Sequence, residues 1–570
     1  MLTGIAYACV LLTHIPNFIY PHGFDKNAPV QFLTLSLVSA IFAVSMVVQA
    51  DKYTYSKKVK YLALALVGAL AISTLMSSSI IASLFGDTGR FVGAISTVAL
   101  LLVAGFHGRF SSEQFALLVK FYVGVVELVV LGGLLQHWDL MQFPGGEEFT
   151  VSLGNLDFFA ALVATSFPLL IFIWFTTASR AKYILIALAA INTYAVHLAG
   201  PKQAWVDIAI TVAGILFFLF LKSKPRFSLN INVGTFLGTF AVIIWAQFIY
   251  LMPFLGDWIP VLGNDDQVKI RANFWLDGVK QFFAHPFLGV GPDQYGNYYE
   301  EFRTLSDVQN FPNILSNDAH SAGVQTLATL GIVGTLVFTA LLALVIRSFL
   351  IIWGRKLMSL KALFALGLYI AVYLTNSFIS PITLSHKYLF WAVCGFLVGK
   401  VYIQPAISNA HTWRATLSVT SIALIASIAI MGSAQVSYLG AMEKYADDNN
   451  SKSTYTYDSV IPCFMFGDGQ LTLANTVSRE AVSEMANNLL ETNPRCVRAL
   501  TVLAKFAVDA NDVQTLRPLI EKLNVVAPWR DTTLSMTMFY ANRTNDANLR
   551  AEVEKRMQQL GMVYIPGQLG

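Results

Sequence analysis

His320 is one of nine histidines, and its neighbours are the ones that suggest proton chemistry. It follows Asn317 and Asp318, both residue types that cap helix N-termini, and it precedes a long apolar run. That order predicts a position in the first turn of a membrane-spanning helix, where the positive end of the helix dipole disfavours imidazolium. A neutral imidazole there can accept a proton from a hydroxyl, although a polar residue that merely marks the membrane edge has the same signature. His14, His22, His107, His137, His197, His285 and His411 fall at span ends or in loops without metal-ligand spacing. His386, beside Lys387, is the one rival. Three cations are expected at the same outer membrane edge: Arg90 in SSSIIASLFGDTGRFVG, Lys202 in AGPKQAW, and Arg271 at the head of RANFWLDGVKQFF. Together they suit an anion site. Taken singly, each also reads as snorkelling to headgroups or pairing with acids such as Asp87. No Ser-His-Asp order and no phosphate-binding glycine loop is present, and Gly289 and Gly291 in GVGPDQ read as a turn after a helix. Neither a metal nor a cofactor is expected.

The elements that must position these residues are membrane helices. The chain has 570 residues, 55% apolar and 13% charged, with a mean hydropathy of +0.58. Soluble proteins carry about twice that share of charge. The net charge of +4 does not suggest nucleic acid, since no Lys/Arg block is interleaved with aromatics. Spanning-length apolar segments are expected near 2–20, 29–49, 58–78, 94–107, 115–135, 153–176, 183–199, 203–221, 230–252, 321–347, 362–380, 387–403 and 415–435, about thirteen in all. Alternate loops hold sixteen Lys/Arg, among them Lys57, Lys58, Arg180, Lys222, Arg355 and Lys400. By the positive-inside rule these loops face the cytoplasm, so the N-terminus lies inside and loop 253–320 outside. That loop carries nine carboxylates against four Lys/Arg. Its length is far beyond an ordinary connection, and its helix-like spacing predicts a folded, functional element. Its aromatics, Phe274, Trp275, Phe282, Phe283, Tyr295, Tyr298 and Tyr299, suit either sugar stacking or packing onto the membrane surface, the plainer of the two.

The expected architecture is all-α: a polytopic bundle over 1–435 and an external helical domain over 436–570. In the latter, Pro494 and Pro528 stand 34 residues apart, each closing a helical run, which suggests a tetratricopeptide-like pair or a plain helical hairpin. Such modules bind partners or brace a neighbour. Cys9 and Cys394 read as small apolar residues in spans. Cys463 and Cys496 share the external domain, and a disulfide between them is open.

Four stretches carry a resemblance to the O-antigen ligase/polymerase family of bacterial envelope glycosyltransferases, which includes protein O-oligosaccharyltransferases. RANFWLDGVKQFFAHPFLGVGPDQY is similar to the family's arginine–aromatic helix and the glycine turn after it. DAHSAGVQTLATLGIVG is similar to its histidine stretch. SLGNLDFFAALVA and LAGPKQAW are weaker matches to two shorter motifs. The resemblance covers roughly residues 75–400 and leaves the C-terminal domain outside. It implies that Arg271 binds the diphosphate of an undecaprenyl-diphosphate-linked glycan and that His320 activates or orients the acceptor hydroxyl. It also implies that Lys202, in place of the family arginine, and Arg90 complete the diphosphate site. Single displacement would then invert the anomeric centre. Lys202 keeps the charge of arginine but loses its fork, Ser321 stands where the family has Asn, and Asp157 replaces the second Asn of the shorter motif.

The expected function is therefore metal-independent glycan transfer to an acceptor hydroxyl at the outer face of the cytoplasmic membrane. The acceptor is lipid A-core, a growing polysaccharide or protein, and the first of these would make the enzyme part of lipopolysaccharide biosynthesis. A transporter or flippase of lipid-linked glycans also suits many spans. Its charges would be expected near the membrane midplane rather than at one edge. A third reading, a scaffold whose membrane part is only an anchor, does not need so many spans.

Overall fold

In lipid each backbone N–H and C=O must be bonded within its own segment, so long apolar runs commit this chain to helices. The computed structural model describes residues 2–14, 28–50, 53–86, 90–141, 153, 155–223, 266–312, 314–405, 414–430 and 479–563. The membrane part contains α1 (Leu2–His14), α2 (Ala28–Val48), α3 (Lys57–Leu75), α4 (Ile80–Phe85), α5 (Ala94–His107), α6 (Ser112–His137), α7 (Leu156–Thr176), α8 (Ile184–Ala199) and α9 (Lys202–Ser223). After a layer of α10 (Asp266–Ala284), α11 (Tyr295–Phe302) and α12 (Leu305–Asn310), called the external layer because it has a small core of its own apart from that of the bundle, come α13 (Ala322–Arg355), α14 (Leu360–Ser377) and α15 (Leu384–Tyr402). The apolar helix α16 spans Arg414–Ile430. Among the described residues seven helices are long and apolar enough to cross a membrane, and α5, α8 and α16 are shorter apolar helices. The expected span at 230–252 and the loop around Asp87 lie outside the described residues.

One continuous core runs through the bundle, with Phe32, Phe115, Phe159, Tyr388 and Leu397 fully buried in it. Within it α15 lies against α5 and α13, α14 against α7, and α13 also against α3 and α10. The α5–α15 contact is close because both faces are small. A Cβ on Gly395 or Gly399, one helical turn apart, would strike the backbone of Ala104 or Gly108. A short antiparallel ribbon, β1 (Tyr53–Tyr55) with β2 (Ile403–Pro405), joins two loops expected on the same side of the membrane.

The C-terminal helices are α17 (Arg479–Thr492), α18 (Val497–Asp509), α19 (Val513–Val526), α20 (Asp531–Thr544) and α21 (Ala547–Gln559). Helix starts recur every 34 residues, at Arg479, Val513 and Ala547 and again at Val497 and Asp531. Successive helices pack on one another through small apolar cores around Leu489, Leu500, Leu523 and Met538. Cys496 is buried and disulfide-bonded. Cys463, its expected partner, lies outside the described residues, and Cys394 is buried and free.

Candidate active site

The two glycine motifs form one unit. Gly331 has φ +59° and ψ −161°, which breaks α13 after Leu330. The freed groups are bonded by the HPFLGVGP turn: Val290 N donates to Ala328 O and Gly291 N to Thr329 O, both at 3.0 Å. In return Ile332 N donates to Pro286 O at 2.9 Å and Val333 N to Phe287 O at 3.2 Å. Ser73 Oγ, from α3, donates to Leu288 O at 2.7 Å. The first turns of α13 therefore form a short segment set off from the spanning part and clamped to the external layer.

The expected position of His320 in the first helical turn is corrected accordingly. His320 lies before the helix with φ +51°, and Ser321 is the residue at the cap, without a side-chain capping bond. Asp318 does not cap the helix. Its Oδ1 accepts from His320 N at 2.6 Å, closing a tight Asx-type turn that aims the imidazole. Asp318 Oδ2 sits 3.0 Å from Arg90 Nη1. That nitrogen is off the line of a hydrogen bond, so the contact is one of charge. On the other side Phe274 lies 5.0 Å from the imidazole, centroid to centroid. Arg271, one turn into α10, pairs at 3.8 Å with Asp157 at the start of α7.

Three polar atoms here are buried and lack a hydrogen-bond partner in the protein: His320 Nδ1, Arg90 Nη1 and Arg271 Nε. Buried polar groups are mostly satisfied in proteins, so the nitrogens left over here keep hydrogen-bonding capacity for a ligand. Burial pushes the imidazole from its ordinary 6.5 down to about 3; Arg90 and Arg271 push the same way, and Asp318 opposes them. His320 is thus a neutral acceptor at any physiological pH.

Beneath the site, the external layer holds itself rigid. Phe274, Trp275, Tyr295 and Tyr299 are buried in its own core with Ala319 and Ala328. These four therefore take neither of the two expected uses, sugar stacking or packing onto the membrane surface; Phe283, by contrast, is exposed. Arg303 Nε donates to Asp307 Oδ2 at 2.6 Å, and Asn273 Nδ2 donates to Asp307 Oδ1 at 2.8 Å. Lys280 Nζ bonds Phe302 O at 2.6 Å and Asp277 Oδ1 at 3.2 Å. Burial pushes the Asp277 carboxyl up to about 7 against the pull of Lys280.

Lys202 is exposed at the first position of α9. The charges that act on His320 are those of Asp318, Arg90 and Arg271. His386 shares a 2.8 Å bond from its Nδ1 with Thr383 Oγ1, and the charge acting on it is that of His14. A cavity of about 480 Å³ opens beside Asp318. It is lined mainly by apolar side chains of α3, α5, α13, α15 and α16, with Asp293, Asp318 and Lys387 among its few charged groups. A largely apolar cavity with Asp293, Asp318 and Lys387 on its wall suits an amphiphile with a polar head.

Residues 165–339 match the O-antigen ligase family. The matched stretch includes Lys202, Arg271, the glycine turn, His320 and Gly331; Arg90, Asp157 and Lys387 fall outside it. The match therefore takes in the clasping turn and the break in α13 together. No curated protein sequence matches the chain. Sequence reasoning passed over Asp318 as an ion-pair partner and Asp157 as the counter-charge of Arg271. The signal for Asp157 was present, because it is the acidic departure from the neutral family residue.

Proposed function

We propose that this O-antigen ligase-type protein transfers a glycan from an undecaprenyl-diphosphate-linked donor to an acceptor hydroxyl at the outer face of the cytoplasmic membrane. The observation that carries the reading is the meeting of Arg90, Asp318, His320 and Arg271, with His320 Nδ1 and Arg271 Nε buried and without a hydrogen bond. In the reaction the acceptor oxygen attacks the anomeric carbon and its proton passes to the imidazole of His320. The bond from that carbon to the diphosphate oxygen breaks, and the polyprenyl diphosphate leaves with the electron pair. Arg271 and Arg90 stabilise the charge that develops on it, a task cationic side chains perform without a metal. Asp157, more exposed than Arg271, swings out as the diphosphate arrives. Lys202 serves at the rim of the site rather than beside the reacting atoms.

The division into a membrane enzyme, 1–435, and an external helical domain, 436–570, belongs to the same reading, with the N-terminus inside. The 34-residue recurrence of helix starts supports a tetratricopeptide-like module. The test is purified protein in vesicles given a lipid-linked glycan and, in turn, lipid A-core, a polysaccharide primer and a Ser/Thr-rich protein. Covalent transfer to one of them supports the proposal and names the acceptor. Movement of the donor across the bilayer without transfer supports the transporter instead.

A further inference from the structure

Lys387 belongs to no part of the site argued so far. It lies in the first turn of α15, a helix end where the dipole disfavours a cation. It is largely buried and lines the cavity with Asp293 and Asp318. Among the described residues its ammonium makes no ion pair and no hydrogen bond. The charges that act on it are Asp318, Asp293 and Arg90. Those acting on His320 are Asp318, Arg90 and Arg271. The two sets overlap in Arg90 and Asp318 and differ at their ends. The Arg90–Asp318 pair is thus common to both, and Asp318 shares the cavity wall with Lys387.

The two arginines already have carboxylate partners, Asp318 at 3.0 Å and Asp157 at 3.8 Å. An ammonium held at a helix N-terminus on the wall of a largely apolar cavity, with Asp318 and Asp293 acting on it only through space, is costly to bury and has donors left for a ligand. We propose that Lys387 binds the lipid-proximal phosphate of a polyprenyl diphosphate whose chain lies in the cavity. This rests on the transfer reading above and adds a direction to it. The donor lies with its lipid towards Lys387 and its sugar towards Arg271 and His320, so the anomeric carbon meets the base and the leaving group stays on the cavity side. The helix N-terminus adds its own positive end to the ammonium.

The experiment uses the full-length protein in detergent or vesicles, with Lys387→Met and Lys387→Arg, and two probes: polyprenyl diphosphate and inorganic pyrophosphate. Binding is read by the shift in unfolding temperature on probe addition, and transfer by kinetics. The expected result is that Lys387→Met raises the donor KM and the polyprenyl diphosphate dissociation constant together by about tenfold or more, as for one charge-assisted hydrogen bond. kcat should change far less, and Lys387→Arg should stay within a few-fold of wild type. Inorganic pyrophosphate should bind much more weakly than the lipid form. Unchanged polyprenyl diphosphate binding in folded Lys387→Met overturns the proposal. So does pyrophosphate binding as tight as the lipid form, which would make the ligand a free anion. If Lys387→Met does not fold, weak binding by folded Lys387→Gln supports the proposal and wild-type binding overturns it. Binding that depends on Lys387 without any glycan transfer by the wild type would leave this inference standing and remove the transfer reading.

Discussion

At the scale of residues, the account turns on a histidine kept neutral by its surroundings and aimed by Asp318. His320→Ala should lower kcat by about 10²- to 10⁴-fold, the usual reach of a general base, with little change in donor KM. Asp318→Asn should retain the turn to His320 but lose the charge on Arg90, lowering kcat/KM by about tenfold. The pH dependence follows from burial. The imidazole binds its proton near 6.5 when unfolded and only at about 3 when folded, so between those values the unfolded chain holds more protons. Stability from this group is therefore complete above pH 6.5 and lost as pH falls towards 3. Unfolding temperatures of His320→Gln should change less than those of wild type between pH 7.5 and 5. A bound diphosphate raises the basicity of the imidazole, so the acid limb of kcat should lie at higher pH than that of kcat/KM. Arg90, Arg271 and His320 were legible in the sequence as residue types expected close together in space. Their carboxylate partners were not, because Asp157 and Asp318 reach them across more than a hundred residues of sequence or through a turn that no spacing announces.

At the scale of elements, the clasp between the glycine turn and the broken helix fixes where His320 stands. A Cβ on Gly331 would lie 2.5 Å from the Phe287 carbonyl carbon, in a backbone conformation that L side chains rarely adopt. Gly289 is equally enclosed by the backbone of Thr329 and Leu330. Gly331→Ala or Gly289→Ala should cost about 3 kcal/mol or more, seen as a clear drop in unfolding temperature, with transfer lost as the clasp opens. Hydropathy made α13 readable as a span but could not reveal the break. The run around Gly331 stays apolar throughout, and the bonds that repair it come from residues some forty positions earlier. The same limit hid the fate of the loop aromatics. Their spacing predicted an amphipathic face, and the layer buries that face against itself and the start of α13.

At the scale of the whole molecule, the repeat-like helices are fastened to the external layer that carries Phe274 and so touches His320. Arg530 Nη1 donates to Glu300 Oε1 at 2.8 Å, Arg495 pairs with Glu301, and the Arg495 guanidinium stacks 3.8 Å over Tyr298. Single exposed ion pairs contribute about 0–1 kcal/mol, so it is the set, half-buried and joined to an aromatic face, that holds the two parts together. Arg495→Ala with Arg530→Ala should raise hydrogen exchange in Tyr295–Phe302 and lower transfer several-fold, while the unfolding temperature of the membrane part stays put. The helical pairs and their 34-residue period were visible in the spacing of prolines; the surface they dock on was not, since it is made of Glu300, Glu301 and Tyr298 in the loop rather than of any feature of the repeats. The most direct test of the central claim is transfer from a polyprenyl-diphosphate-linked glycan by purified wild type, His320→Ala and Arg271→Ala proteins that unfold at the same temperature. Transfer by wild type and a loss of about 100-fold or more in both variants is the predicted result, and full activity in either variant would contradict it.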